Sequence, residues 1–274
     1  MDWLTRLDMD GFLLFTLVFA RVSGLTMTAP IFGTREVPLQ VRGLLALALA
    51  LVIAPTQCGG SPVVPDSTLD YVVLVVAELI IGLFLGLGIV LLFSAAQLAG
   101  GLIGRLGGLA LADVLDPSAG EPVPILGRLM WLLAVVVFVA IGGHRMVVGA
   151  LLDTFQSLPP GTMASAESMV GVLRELLSQS FELGLRIAAP VVVAVLLSTL
   201  VLGLIGRTLP QLNLLAVGFG LNSMLSFGLL AVVLGTGAML LQAEVAPTLD
   251  RLTNALHAPT TAETSPEIPK SRIP

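Results

Sequence analysis

Six apolar runs, near residues 12–31, 39–55, 71–99, 124–141, 183–206 and 212–241, leave this chain few ways to fold. The hydrocarbon core of a bilayer is about 30 Å thick and takes roughly 20 apolar residues as a helix. Lipid offers backbone amides no partner, so a spanning segment must close its hydrogen bonds internally. The composition agrees: 56% of the 274 residues are hydrophobic and only 11% are charged, against about 25% charged in soluble domains. The fold class expected is an all-α polytopic membrane protein. It forms a single domain over residues 1–257, with a Thr-, Pro- and Glu-containing tail over 258–274 expected to be disordered.

The runs differ in what they can do. The second is short, and the small residues of Ala46–Ala50 suit close packing. Runs 71–99 and 212–241 are long enough to tilt or to extend past the core. Residues 145–182 mix Arg145, Asp153, Glu167, Arg174, Glu175 and Glu182 with apolar positions, and read as amphipathic helix plus the turn Pro159-Pro160-Gly161. Asp2, Asp8 and Asp10 spoil the basic start of a signal peptide, so the first span is expected to be retained.

Charge excludes some functions. The formal net charge of -5 and the lack of a Lys/Arg run argue against nucleic acid. The single cysteine, Cys58, excludes an intramolecular disulfide and any Cys-rich metal site. Arg35, Arg42, Arg105, Arg128 and Arg207 fall on one side of the expected topology. Arg6, Arg145, Arg174, Arg251, Lys270 and Arg272 fall on the other. So even a split is unusual for an ordinary polytopic protein, and it points away from a simple planar bundle.

Several constellations stand out on this apolar background. Glu78, Gly82 and Gly86 recur at i, i+4 and i+8, hence on one helix face. Gly100, Gly104 and Gly108 continue a small-residue spacing that lets helix backbones approach closely. A carboxylate inside an apolar run is expensive; Glu78 reads foremost as a partner for Arg21 or a backbone group, or as interfacial, ahead of a proton relay. The glycines at 100, 101, 104, 107 and 108 lack the Gly-Lys-Ser/Thr of a phosphate loop and suit irregular, movable backbone instead. Gly142-Gly143-His144-Arg145 is expected to stop the fourth run, with His144 and Arg145 favouring a helix C-terminus. Gly218, Asn222 and Ser226 form a polar, small stripe suited to interhelical hydrogen bonds.

Between the last two runs lies Gly206-Arg-Thr-Leu-Pro-Gln-Leu-Asn213. Pro210 must end or kink the preceding helix, and Gln211 and Asn213 can bond backbone groups freed at the two helix ends. With Arg207, they read as an elbow setting the angle between the last two helices. No Ser/His/Asp set, carboxylate pair or His/Cys cluster accompanies these features, so no enzyme, cofactor or metal is expected.

Taken in order, the motifs Phe19-Ala-Arg-Val-Ser-Gly24, Ala29-Pro-Ile-Phe-Gly33, Val37-Pro38 and Ala54-Pro55 resemble the FliR family of the flagellar type III export apparatus. Glu78 with Gly82 and Gly86, Asp116-Pro117, Gly142-Gly-His144, Phe155 with Pro159, and Leu185-Arg-Ile-Ala-Ala-Pro190 extend the resemblance. Pro210-Gln-Leu-Asn213 and Val217-Gly-Phe219 complete it over roughly residues 12 to 250. The chain departs at Gly100-Gly101 and Leu106 in the loop, and at Gly220, where relatives carry proline.

The resemblance implies a non-catalytic subunit of the bacterial inner membrane and flagellar basal body. Its helical hairpins would pack in a helical, heteromeric export gate with FliP-like and FliQ-like subunits and an FlhB-like one. It would also touch lipid and, transiently, unfolded export substrates. The family's channel plug would fall near Leu106–Glu121, giving Leu106, Gly107, Gly108, Leu109, Ala110, Leu111, Asp116 and Pro117 as plug candidates. Glu78, Gly82, Gly86, Arg207, Pro210, Gln211, Asn213, Gly218 and Asn222 are the helix-packing and assembly candidates. The alternatives are an injectisome counterpart and, further off, a small-solute secondary transporter, which would need inverted repeats and a polar midplane site.

Overall fold

The computed structural model describes residues 9–30, 37–57, 67–108, 125–209 and 214–257. Cys58, Leu109–Pro117, the Pro210–Asn213 core of the elbow and the tail from residue 258 lie outside the described residues.

Among the described residues seven α-helices follow in order: α1 Met9–Thr28, α2 Leu39–Ile53, α3 Thr68–Leu106, α4 Ile125–Ala140, α5 Gly143–Ser157, α6 Ala166–Thr208 and α7 Leu214–His257. Five among the described residues are long and apolar enough to cross a membrane, α2 counted together with the 3-10 turn Ala54–Gln57 that continues it, and α4 with α5 forms a sixth apolar element bent by 69°. This is the all-α polytopic architecture the apolar runs call for.

Helix α3 is the mast of the fold, packing against α1, α4, α6 and α7. It starts where Ser67 Oγ accepts the Asp70 N–H at 3.2 Å, a side-chain cap for an otherwise orphaned donor. It is apolar nearly all round, as suits a helix surrounded by others. Phe84, Ile89, Phe93, Ala95, Ala99 and Ile103 are buried along its length. Phe93 meets Phe138 of α4 edge-on at 5.4 Å, a geometry the ring quadrupoles favour.

Two boundaries differ from the sequence reading. The amphipathic segment 145–182 divides at its turn: its first part is α5, and its second part and the fifth run are one helix, the 43-residue α6. A helix whose apolar face is partnered at one end and wholly apolar at the other shows two hydropathy patterns with no break in the backbone. It also passes through Pro190. The second difference concerns the fourth run: Gly142 takes φ +75° and stops α4, but His144 and Arg145 belong to the first turn of α5. The left-handed glycine turns the chain into a new helix at once, so neither side chain sits at a C-terminus.

Helices α6 and α7 form an antiparallel pair. Asn222 lies against Thr199, Gly237 against Ile187 and Arg251 against Gln179. A group of its polar residues, Glu175, Gln179, Glu182, Arg186, Glu244 and Arg251, lies at the end away from the elbow.

Candidate functional site

The polar centre of the molecule is built on Arg21. Its Nε donates to Glu78 Oε2 at 2.6 Å, with both side chains almost wholly buried (0% and 1% exposed). Its Nη1 donates to the Thr154 carbonyl at 3.2 Å, to Thr154 Oγ1 at 3.3 Å and to the Leu158 carbonyl at 3.1 Å. The guanidinium lies 4.4 Å from the centre of the Phe155 ring. Glu78 Oε1 in turn accepts the Gly161 N–H at 2.7 Å.

One ion pair thus ties α1, α3, the end of α5 and the turn after it. The last carbonyls of a helix lack intrahelical donors and carry the negative end of its dipole. The Thr154 carbonyl already accepts the Leu158 N–H at 2.9 Å, so Arg21 adds a positive charge at this end of α5 and brings the Leu158 carbonyl a donor from another helix. Gly161 has φ +91°, which glycine adopts without steric cost, and this turn aims its N–H at Glu78. A buried charge is tolerated when paired and hydrogen-bonded, and Glu78 meets that condition twice over. Thr154, Phe155 and Gly161 escaped the sequence reading as members of this site. Phe155 and the Pro159-Pro160-Gly161 turn were visible there, but not what they touch.

Around the ion pair, α1 and α3 touch through glycine. A Cβ on Gly82 would collide with the Arg21 carbonyl and lie 2.9 Å from the Leu25 nitrogen; one on Gly24 would lie 2.8 Å from the Leu83 nitrogen. A Cβ on Gly86 would run into the Thr28 side chain. Farther along, Gly100 meets the α4 backbone, where an added Cβ would stand 2.8 Å from the Gly127 Cα. Gly104 is looser: its nearest neighbour, the Leu126 Cβ, is 3.9 Å away. Gly108 has left the helix, with φ +82°.

The described root of the glycine loop docks on α7. Leu106, the last residue of α3, is exposed, whereas Gly107 is buried. Ser223 Oγ donates to the Gly107 carbonyl at 3.0 Å. An added Cβ on Gly108 would lie 2.8 Å from the Phe219 ring, and one on Gly107 would collide with Ser226. The remaining plug candidates, Leu109, Ala110, Leu111, Asp116 and Pro117, lie outside the described residues.

The polar stripe of α7 faces two neighbours. Asn222 Nδ2 donates to Thr199 Oγ1 of α6 at 3.4 Å, and Gly218 lies against Leu202, 3.5 Å from where its Cβ would stand. Ser226 turns instead toward Gly107 of α3. Arg207 is exposed at the end of α6; Pro210, Gln211 and Asn213 lie outside the described residues.

Residues 12–247 match the family described as bacterial export proteins, family 1. The chain is similar to the flagellar biosynthetic protein FliR of Escherichia coli K12, 34% identical over 78% of this chain and 81% of that protein. It is also similar to FliR of Bacillus subtilis, 29% identical over 90% of this chain and 96% of that one. FliR of Caulobacter vibrioides is 29% identical over 81% of this chain and 89% of its own. A family match over most of the chain, with a relative 34% identical over about four fifths of both chains, makes this protein a member of the FliR family of bacterial export proteins.

Proposed function

We propose that this protein is a non-catalytic subunit of the flagellar type III protein export apparatus in the bacterial inner membrane. It helps form the export channel, and the segment that begins at Leu106 helps plug it. Its partners are FliP-like and FliQ-like subunits and an FlhB-like one, with unfolded substrates passing transiently.

The observation that carries this reading is the mismatch between helix length and bilayer thickness. Helices α3, α6 and α7 have 39, 43 and 44 residues, about 58, 64 and 66 Å at 1.5 Å per residue. Each is roughly twice the bilayer core of about 30 Å. Along α6, Leu177, Phe181, Leu185, Leu196, Leu200 and Leu204 are all exposed, a stretch of 27 positions. That stretch runs about 40 Å and also carries the exposed Glu182–Arg186 pair, so lipid alone does not cover it. Apolar surface of that extent marks a protein contact.

Coexpression with the three partner proteins tests this reading. The expected result is one stable heteromeric membrane complex containing this chain. A stable monomer or homodimer that moves a small solute in liposomes would overturn the export role. The neighbouring genes separate the two branches of the machinery: hook, filament and motor genes accompany a flagellar subunit, needle and effector genes an injectisome one.

A further inference from the structure

Helix α2 is held to the rest of the fold by a narrow seam. Ala46, Ala50 and Ile53 are buried, while Leu39, Val41, Leu44, Leu51 and Val52 are exposed. Between that seam and the first half of α3 lies an open cleft of about 560 Å³, lined by α1, α2 and α3. Protein interiors leave few voids larger than a water molecule. The surface that the lining presents to the cleft is almost wholly apolar, and a water needs two to four polar partners to stay. The cleft must be filled by something apolar.

Its dimensions and polar ends select the occupant. Along α1 the lining runs from Thr16 to Met27, eleven positions or about 17 Å. That is close to half of the roughly 30 Å bilayer core, the depth of one leaflet, whereas a partner's spanning helix would need the full thickness. At one end the Tyr71 and Thr16 hydroxyls are hydrogen-bonded to each other. Toward the other end, where α1 stops and α2 starts, Arg42 lines the cleft, its Nε donating to the Val37 carbonyl at 3.1 Å. Ser23, also lining the cleft, is 9% exposed, and its hydroxyl has no hydrogen-bond partner. An arginine at headgroup depth attracts anionic lipid, and an ester oxygen is the acceptor that the Ser23 hydroxyl lacks.

We propose that this cleft binds one acyl chain of an anionic phospholipid, with the phosphate at Arg42, so that lipid completes the packing of α2 against α1 and α3. The inference rests on the membrane placement proposed above for the subunit. It does not depend on which subunits surround the protein.

Gly43 gives a clean variant, because it lines the cleft and a Cβ added there meets nothing within 4 Å. The full-length protein is labelled in its native membranes with a phosphatidylglycerol carrying a diazirine in one acyl chain. A phosphatidylcholine probe runs in parallel, and labelled residues are mapped by mass spectrometry. Labelling is expected on the α1 and α3 walls, with Gly43→Phe abolishing it. Arg42→Gln should weaken labelling by the anionic probe about fivefold, the factor that goes with one basic residue at an anionic surface, and leave the neutral probe unchanged. Labelling spread evenly over the exposed faces of α6 and α7, or unchanged in Gly43→Phe, would overturn the proposal. So would a benzophenone at Val76 that crosslinks to a protein subunit rather than to lipid. Alkaline extraction of the same membranes separates the two failures. A chain released as soluble protein sinks the membrane placement, whereas an integral chain without selective labelling sinks the cleft inference alone.

Discussion

Arg21 and Glu78, 57 positions apart in the chain, form a buried ion pair at 2.6 Å in which both side chains are closed off from solvent. Around it, α1, α3, the end of α5 and the turn at Gly161 are fixed at once. Such a pair is costly to desolvate, and its geometry only repays that cost when the remaining donors and acceptors are also met. Most are met here: Nη1 reaches the Thr154 and Leu158 carbonyls and Glu78 Oε1 accepts the Gly161 N–H, while Nη2 has no hydrogen-bond partner among the described residues; the pair is a joint between elements rather than an isolated contact.

Removing one partner of this joint should be worse than removing both. Arg21→Met or Glu78→Leu alone leaves an uncompensated buried charge, a loss of about 3–5 kcal/mol in comparable pairs. The double variant should recover a measurable part of that loss. Thermal unfolding of the purified complex, run as a double-mutant cycle, checks this. Strictly additive effects would mean that the two groups do not depend on each other.

Glycine at the α1–α3 contact should resist replacement while glycine on the outer faces should not. Gly82→Leu forces α1 off α3, because its Cβ has no room beside the Arg21 carbonyl. Complex yield by size-exclusion chromatography should collapse. At Gly149 of α5 an added Cβ would meet nothing within 4 Å, so Gly149→Ala should assemble normally and stabilise the helix by up to about 1 kcal/mol. Normal yield from Gly82→Leu would mean that α1 and α3 do not meet there in the assembled protein.

Deleting Gly107–Ala112 should leave the complex assembled but leaky to small molecules, measured as ion flux in reconstituted vesicles. Unchanged flux would remove this segment from the plug.

A milder version of that deletion follows from the Ser223 contact. Ser223→Ala removes the hydroxyl that donates to the Gly107 carbonyl, at a cost of about 1 kcal/mol. If this bond holds the root of the plug, flux should rise severalfold while assembly stays intact. Equal flux in the variant and the parent would show that the root is held by other contacts.

Local pattern announced the helices because membrane chemistry is local. An apolar run of sufficient length has no other way to satisfy its backbone, so the runs near α1, α2, α3, α4, α6 and α7 could be seen without knowing what touches them. The face shared by Glu78, Gly82 and Gly86 was equally legible, since helical period alone brings residues four apart together. Boundaries failed where hydropathy changes and the backbone does not: α6 reads as two segments because its charges, Arg207 in the last turn apart, lie in its first half. At Gly142 the reverse held, since glycine marked the stop but not that another helix begins immediately after it.

The sequence by itself determined that this is an all-helical membrane protein, which family it resembles, and that a carboxylate must be accommodated among apolar residues. Only the tertiary structure decided how. Of the partners open to Glu78, it selected Arg21 together with the Gly161 amide. It also enlisted the carbonyls at the end of α5, more than 130 positions from Arg21. Helix formation is settled by contacts within a few residues, whereas a buried charge is neutralised by whichever groups packing brings within about 3 Å, and no local pattern encodes that choice.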